Sequence, residues 1–189
     1  MQRHFLRRIQ KRTDYKQRLG LLKSGLHRIV IRKSINDIRV QVVQYDRKGD
    51  ITRLEDKASS LKKLGWKGHC ANMPAAYLIG YKIGKKMLAS GIKQAVADLG
   101  LQTTTKGNSL FAAIKGVKDA GVDINLGDSA PIDISGKHIA EYARHLKSEK
   151  EKYQRQFSAY LKNGLDPENI EEHFKMVKEK LDRDGTSSI

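Results

Sequence analysis

Cysteine is nearly absent from this sequence: Cys70 is the only one in 189 residues. That excludes an internal disulfide and accords with a reducing compartment. Long apolar runs are missing too, since none approaches the ~18 residues that suggest a membrane span, and Met1-Gln-Arg-His-Phe lacks the apolar core of a secretion signal. A soluble, cytoplasmic protein with no membrane partner is expected. The third scarcity is acid at one end, where Asp14 is the single carboxylate in residues 1–34.

Against that single acid stand Arg3, Arg7, Arg8, Lys11, Arg12, Lys16, Arg18, Lys23, Arg28, Arg32 and Lys33. These residues give the first 34 positions a charge of +10 out of a total of +16. Such an excess repels itself unless a polyanion neutralises it, so nucleic acid or an acidic membrane surface is implied. Residues 1–25 are too poor in apolar side chains for a core of their own. They read as an extension that orders on a partner, with Leu19, Leu21, Leu22 and Leu26 able to tack its end onto the domain. Phe5 and Tyr15 are interleaved with arginines, a composition that can stack on bases while guanidinium groups fork onto phosphates.

The next segment alternates apolar and polar residues. His27–Lys33 and Asp37–Tyr45 read as strands, a third strand lies near Ile51–Leu54, and the short connections give an antiparallel meander. Alternation blurs at Val43. Lys57–Gly65 holds a short helix, and Gly65–Asn72 is a loop. A long helix follows from Asn72-Met-Pro74 to Gly91, because Asn72 can accept from free amides and Pro74 loses nothing at a helix start. Leu78, Ile79, Ile83 and Met87 form its stripe, with Gly80 and Gly84 admitting a neighbouring backbone. Gln94–Gly100 is a fourth strand, parallel to the first by a right-handed crossover. Leu101–Gly107 is a polar loop, and a second helix runs from Asn108 or Ser109 to Ala120 with Leu110, Phe111, Ile114 and Val117 buried.

The fold class is therefore α/β: a three-stranded antiparallel meander plus helix, strand, helix, which is a ribonuclease-H-like topology. A basic extension at 1–25, a core domain at 26–124, and a linker with helical tail at 125–189 make up the chain. In the tail, Ile139, Tyr142, Ala143 and Leu146, then Tyr153, Phe157, Tyr160 and Leu161, keep helical spacing. Asp166-Pro167-Glu168 starts a last helix striped by Ile170, Phe174, Val177 and Leu181.

Chemistry-bearing patterns are few. Gly80 and Gly84 are one residue too close and in mid-helix for a nucleotide loop, which also needs Lys-Ser/Thr at a helix start. Thr103-Thr104-Thr105-Lys106-Gly107, before a helix amino end, is a better place for a phosphate, because hydroxyls, a lysine and free amides converge there. Trp66 reads either as a plug over the core edge or, with Lys67 and His69, as a partner contact. His138, Glu141 and His145 share a helical face but match no zinc signature, and Cys70 beside His69 lacks an orienting acid. Nucleases of this topology hold two metal ions on carboxylates. The first strand and first long helix contain none, leaving Asp98 alone, so neither catalysis, nor a metal or other cofactor, nor a small-molecule substrate is expected. A metal-dependent ribonuclease is the alternative.

Several motifs resemble one family in order: RTDYKQRLGLLKSG, NMPAAYLIGYKIGKK, ADLGLQTTTKGNSLFAAIKGVKDAGVDI, HIAEYA and GLDPENIEEHF. Together they are similar to the archaeal-type large-subunit ribosomal protein eighteen, number five in eukaryotes, which binds 5S rRNA. The resemblance implies a structural constituent of the central protuberance, with 5S rRNA, 23S rRNA and neighbouring large-subunit ribosomal proteins as partners. Matched onto this chain, it implies RNA contacts at Arg7, Arg8, Lys11, Arg12, Tyr15 and Arg18, at Lys33, in the Trp66–Asn72 loop (Trp66, Lys67, His69, Asn72) and at Thr104–Lys106. Charge adds Arg3 and Arg32. Here Phe5-Leu6-Arg7-Arg8-Ile9 interrupts the expected arginine run with apolar residues.

Overall fold

The computed structural model describes residues 5–127 and 133–184. Arg3, and the middle of the linker expected at 125–136, lie outside them. The extension carries local order that its composition does not advertise: α1 (Leu6–Ile9) and α2 (Tyr15–Leu22). The latter begins at Asp14, whose carboxylate accepts from the Lys16 and Gln17 amides at 2.9 and 3.1 Å. An acid satisfying two otherwise orphaned donors, next to the positive end of the helix dipole, is a sufficient reason to start there.

Four strands follow: β1 (His27–Lys33), β2 (Ile38–Gln44), β3 (Ile51–Lys57) and β4 (Ala95–Asp98), in the order β3-β2-β1-β4. The sheet is mixed. β2 runs antiparallel to both β1 and β3, while β4 joins β1 in parallel. Ile29 opposes Val42 and Ile31 opposes Val40, all fully buried, so one face is core. Arg28, Val30 and Arg32 occupy the opposite face because side chains alternate along a strand. The register shifts between Val42 and Val43, where the apolar alternation also loses phase, and both valines are buried. β3 runs past Leu54 to Lys57 because its polar end is used: Asp56 accepts from Lys86 and Ser60 at 2.7 and 2.6 Å. Residues 58–64 then form a 3-10 helix ended by Gly65 in the left-handed region.

On the buried face lie α3 (Met73–Ala89) and α4 (Ser109–Asp119). Asn72 and Asn108 cap them, their side chains accepting from Ala75 and from Leu110 and Phe111. Leu78, Ile79, Ile83 and Met87 are fully buried, as are Ala75, Ala76 and Tyr77, since α3 is covered on more than one side. Contact between α3 and α4 is backbone to backbone. A Cβ at Gly80 would sit 2.0 Å from the Ala113 carbonyl oxygen, and one at Gly116 would sit 2.2 Å from that of Tyr77.

The tail comprises α5 (Lys137–Leu146), α6 (Lys150–Gln156), α7 (Ser158–Lys162) and α8 (Ile170–Asp184). Asp166 caps the 3-10 turn at 167–169 that leads into α8. Ile170, Phe174, Val177 and Leu181 are buried and belong to one core with the sheet and α3. Lys178 lies over the rings of both Tyr77 and Tyr81, and the Tyr81 hydroxyl donates to Asp182 at 2.7 Å. Burial and that carboxylate push the Tyr81 phenol up to about 12. In α5 the innermost residues are Ala140 and Ala143; Tyr142, expected in the stripe, is half exposed with its ring against Phe157. Small residues let the helix close on its neighbours, so the large ring moves to the flank.

Candidate nucleic-acid interface

The arm places its cations outward. Arg7, Arg8, Lys11 and Arg12 are exposed, and Arg7 donates to the Thr13 hydroxyl at 3.0 Å. Phe5 and Tyr15 meet with ring centroids 4.9 Å apart, which leaves Phe5 exposed and Tyr15 half-buried. Of the four leucines expected to tack the arm down, Leu21 and Leu22 are half-buried. Leu19 and Leu26 are exposed, and the polar link between arm and core is Arg18, whose Nη2 meets Asp50 at 2.8 Å.

That link opens a chain of alternating charges across the outer face of the sheet. Asp50 also accepts from Arg28 at 2.5 Å; Arg28 reaches Asp98 at 2.9 Å, and Asp98 holds Arg32 at 3.0 Å. Arg28 is only 3% exposed, and its Nε has no partner among the described residues. A guanidinium removed from water needs this bracketing by two carboxylates. Asp98, the one acid at a position where a metal ligand would be wanted, therefore has both oxygens committed to arginines, and Oδ1 also accepts from the Gly100 amide at 3.1 Å. Arg32 adds a bond to the Asp98 carbonyl and stays half exposed. Arg28 reads in the sequence as one cation among eleven, and Asp50 does not stand out. The signal available is strand periodicity, which sets Arg28 and Arg32 on one face with the end of β4 beside them.

Lys33 sits where β1 meets the loop after β4. Its amide donates to the Gln102 side chain at 3.2 Å, and Gln102 returns a bond to its carbonyl at 2.9 Å. These two bonds tie the end of β1 to the loop that carries Thr104 and Lys106, and Lys33, Thr104 and Lys106 are all exposed. One part of the expectation for this loop needs correcting. The amides assumed free at the start of α4 are taken by the Asn108 side chain, which also donates to the Thr103 carbonyl. What remains for a phosphate is the lysine and the hydroxyls.

In the 66–72 loop the structure favours the first of the two readings of Trp66. Trp66 is 2% exposed, stacked on His173 with centroids 5.1 Å apart, and its indole donates to the His69 carbonyl at 3.4 Å. It is the plug, not a partner contact. Asn72 caps α3 and donates to the Tyr160 hydroxyl, so its side chain is occupied as well. His69 is half-buried and accepts from the Ala71 amide; burial, then the ammoniums of Lys33 and Lys62, pull its imidazole below the usual range and leave it neutral. Cys70 is buried, and burial pushes its thiol up, away from nucleophilic use. Of this loop, Lys67 alone presents an exposed cation, while its backbone is held by His173 and Asn163. The tail seats itself on this loop, and no pattern within residues 66–72 announces a partner 100 residues away.

Residues 1–96, from the arm through α3 into β4, match the family described as ribosomal large subunit proteins 60S L5 and 50S L18. Large ribosomal subunit protein uL18 of Methanococcus maripaludis is 46% identical over 180 residues, covering 94% of this chain and 93% of that protein. The chain belongs to this family. Membership in the L5/L18 family makes it a protein of the large ribosomal subunit with a structural, non-enzymatic role. The identity extends beyond residue 96, so α4 and the tail share the family likeness. No helix among the described residues is long and apolar enough to cross a membrane.

Proposed function

We propose that this chain binds 5S rRNA and anchors it to 23S rRNA and neighbouring large-subunit ribosomal proteins in the central protuberance. The observation that carries the reading is the concentration of charge: +10 in the first 34 residues, with Arg7, Arg8, Lys11 and Arg12 exposed on the arm. Arg18 and Arg32 contribute from within ion pairs, and Lys33, Thr104, Lys106 and Lys67 from the loops. Tyr15 supplies an aromatic ring beside the cations. Three antiparallel strands followed by a helix and a parallel fourth strand support a ribonuclease-H-like topology used here as a scaffold. The arginines around Asp98 weigh against a ribonuclease.

Binding releases counterions from phosphates, and about six phosphate contacts imply a log-log salt slope of roughly −4 to −5. The test is recovery of the chain from cells with its bound RNA identified by size and sequence. Removal of residues 1–25 is expected to weaken 5S rRNA binding and flatten the salt slope; unchanged affinity and slope would overturn the arm's role. Magnesium-dependent RNA cleavage abolished by Asp98→Asn would restore the nuclease reading.

A further inference from the structure

Between the arm and the outer face of the sheet lies a cleft of about 580 Å³, within the ~300–1,000 Å³ of small-ligand sites. Its arm wall includes Arg7 and Arg12, neither of which meets a carboxylate among the described residues. Val30 and Val43, from adjacent strands, give it an apolar floor. Beside them, Thr52 has a hydroxyl without a partner among the described residues. Gln41 spends an amide N–H on Glu55 at 2.9 Å, and its side-chain carbonyl oxygen accepts no bond among the described residues. The chain of ion pairs through Arg28 underlies one side and fixes those charges in place.

These groups have the chemistry of a nucleotide site. Unpaired guanidiniums suit a phosphate, two β-branched side chains suit the face of a base, and a neutral donor with a neutral acceptor suits its edge. We propose that the cleft receives one unstacked nucleotide of the bound RNA. This rests on the RNA-binding reading above and deepens it. A strand is favoured over a free nucleotide because further cations flank the cleft: Arg8 and Lys11 on the arm, and the 101–107 loop, whose Leu101 and Gln102 line the cleft itself. Only a bulge, loop or end of the RNA can present such a base, since extracting one from a duplex costs its stacking.

Thr52→Trp tests the idea. Position 52 is an exposed place on an edge strand that tolerates an aromatic residue, and the change fills the cleft without altering charge. The full-length variant is expected to bind 5S rRNA at least about 5-fold more weakly with an unchanged salt slope, as loss of one stacked base predicts. Arg7→Gln with Arg12→Gln is expected to make the slope shallower by about 1.5. If the wild-type chain binds no 5S rRNA, the functional proposal fails; if it binds and folded Thr52→Trp binds equally well, the cleft alone is overturned. Photo-crosslinking of the wild-type complex, with 4-thiouridine and then 6-thioguanosine in the RNA, decides the matter even should the variant misfold. Adducts on β1, β2 or β3 support the site, and adducts confined to residues 5–25 and the 101–107 loop refute it.

Discussion

Replacing Gly80 with alanine adds one methyl group and is expected to be among the most damaging single changes available to this chain. The new Cβ would lie 2.0 Å from the Ala113 carbonyl oxygen, 2.8 Å from its carbon and 3.0 Å from its Cα. Carbon and oxygen in contact stand ~3.3–3.6 Å apart, so α3 and α4 must separate locally by more than about 1 Å. The obstruction is backbone, which has no rotamer to change. Gly116 makes the reciprocal approach to Tyr77, so separation loosens contacts along the whole helix pair. Overpacking of this kind costs ~1–3 kcal/mol and occasionally more, while alanine returns ~1 kcal/mol of helix propensity. With an unyielding backbone obstruction the cost falls at the upper end of that range, so a net loss of about 2 kcal/mol is expected, equivalent to ~4–8 °C in Tm for a chain of this size. Urea unfolding followed by far-ultraviolet circular dichroism measures it, with a lower midpoint and an unchanged m-value. Gly20→Ala on α2, where nothing lies within 4 Å of the new methyl, is the control and is expected to cost nothing. Equal stability for Gly80→Ala and wild type would refute the account of the helix contact.

Acid sensitivity has two sources. At Asp56 burial alone would raise the carboxyl, but Lys86, Ser60, Lys82 and the Lys57 amide outweigh it and hold the pKa at about 2. A depressed carboxylate stabilises the fold above its unfolded pKa near 4, and that roughly 2 kcal/mol disappears as pH falls toward 2. Asp56→Asn is expected to flatten this part of a stability–pH curve, and an unchanged curve would contradict the assignment. His173 accepts from the Lys67 amide through Nε2 at 3.0 Å, and burial, then Lys67 and Lys180, lower its pKa. Its contribution is present above the usual histidine range and lost as pH falls below it, so fluorescence of Trp66 is expected to change in that window and not in His173→Gln. Arg18→Gln is expected to speed tryptic cleavage within residues 5–25 while leaving the melting of the core unchanged. Asp50→Asn is expected to do the same and also lower Tm, because it removes a partner from buried Arg28.

What could be read from the sequence was local. Asn72-Met-Pro, Asn108 and Asp166-Pro-Glu mark helix starts because a cap is a bond between residues two or three apart, and all three are caps in the structure. The apolar stripes of α3, α4 and α8 were legible by their period. Tertiary choices were not. Trp66 faces inward because His173, more than 100 residues later, stacks on it. Asp98 was visible as an isolated acid, yet its engagement by Arg28 and Arg32 depends on β4 pairing with β1. The arm's helices were hidden behind its composition, although Asp14 followed three residues later by Gln17 carried the signal. Of the interface, the arm's charge was plain in the sequence, whereas the cleft requires arm and sheet to be placed together.

The order of strands leaves β3 at an open edge, whereas β4 is covered where the Ala95 amide donates to the Asp123 carbonyl. An uncovered edge is a row of unpaired backbone groups on which a second copy could extend the sheet. On β3 the side chains along that edge include Arg53, Glu55 and Lys57, and the neighbouring strand shifts register at Val42/Val43. Charge and twist both oppose edge-to-edge pairing, and two copies at +16 each repel at distance. Before RNA neutralises it, the chain is protected from fibre-like self-association by the strand that contributes least to its core.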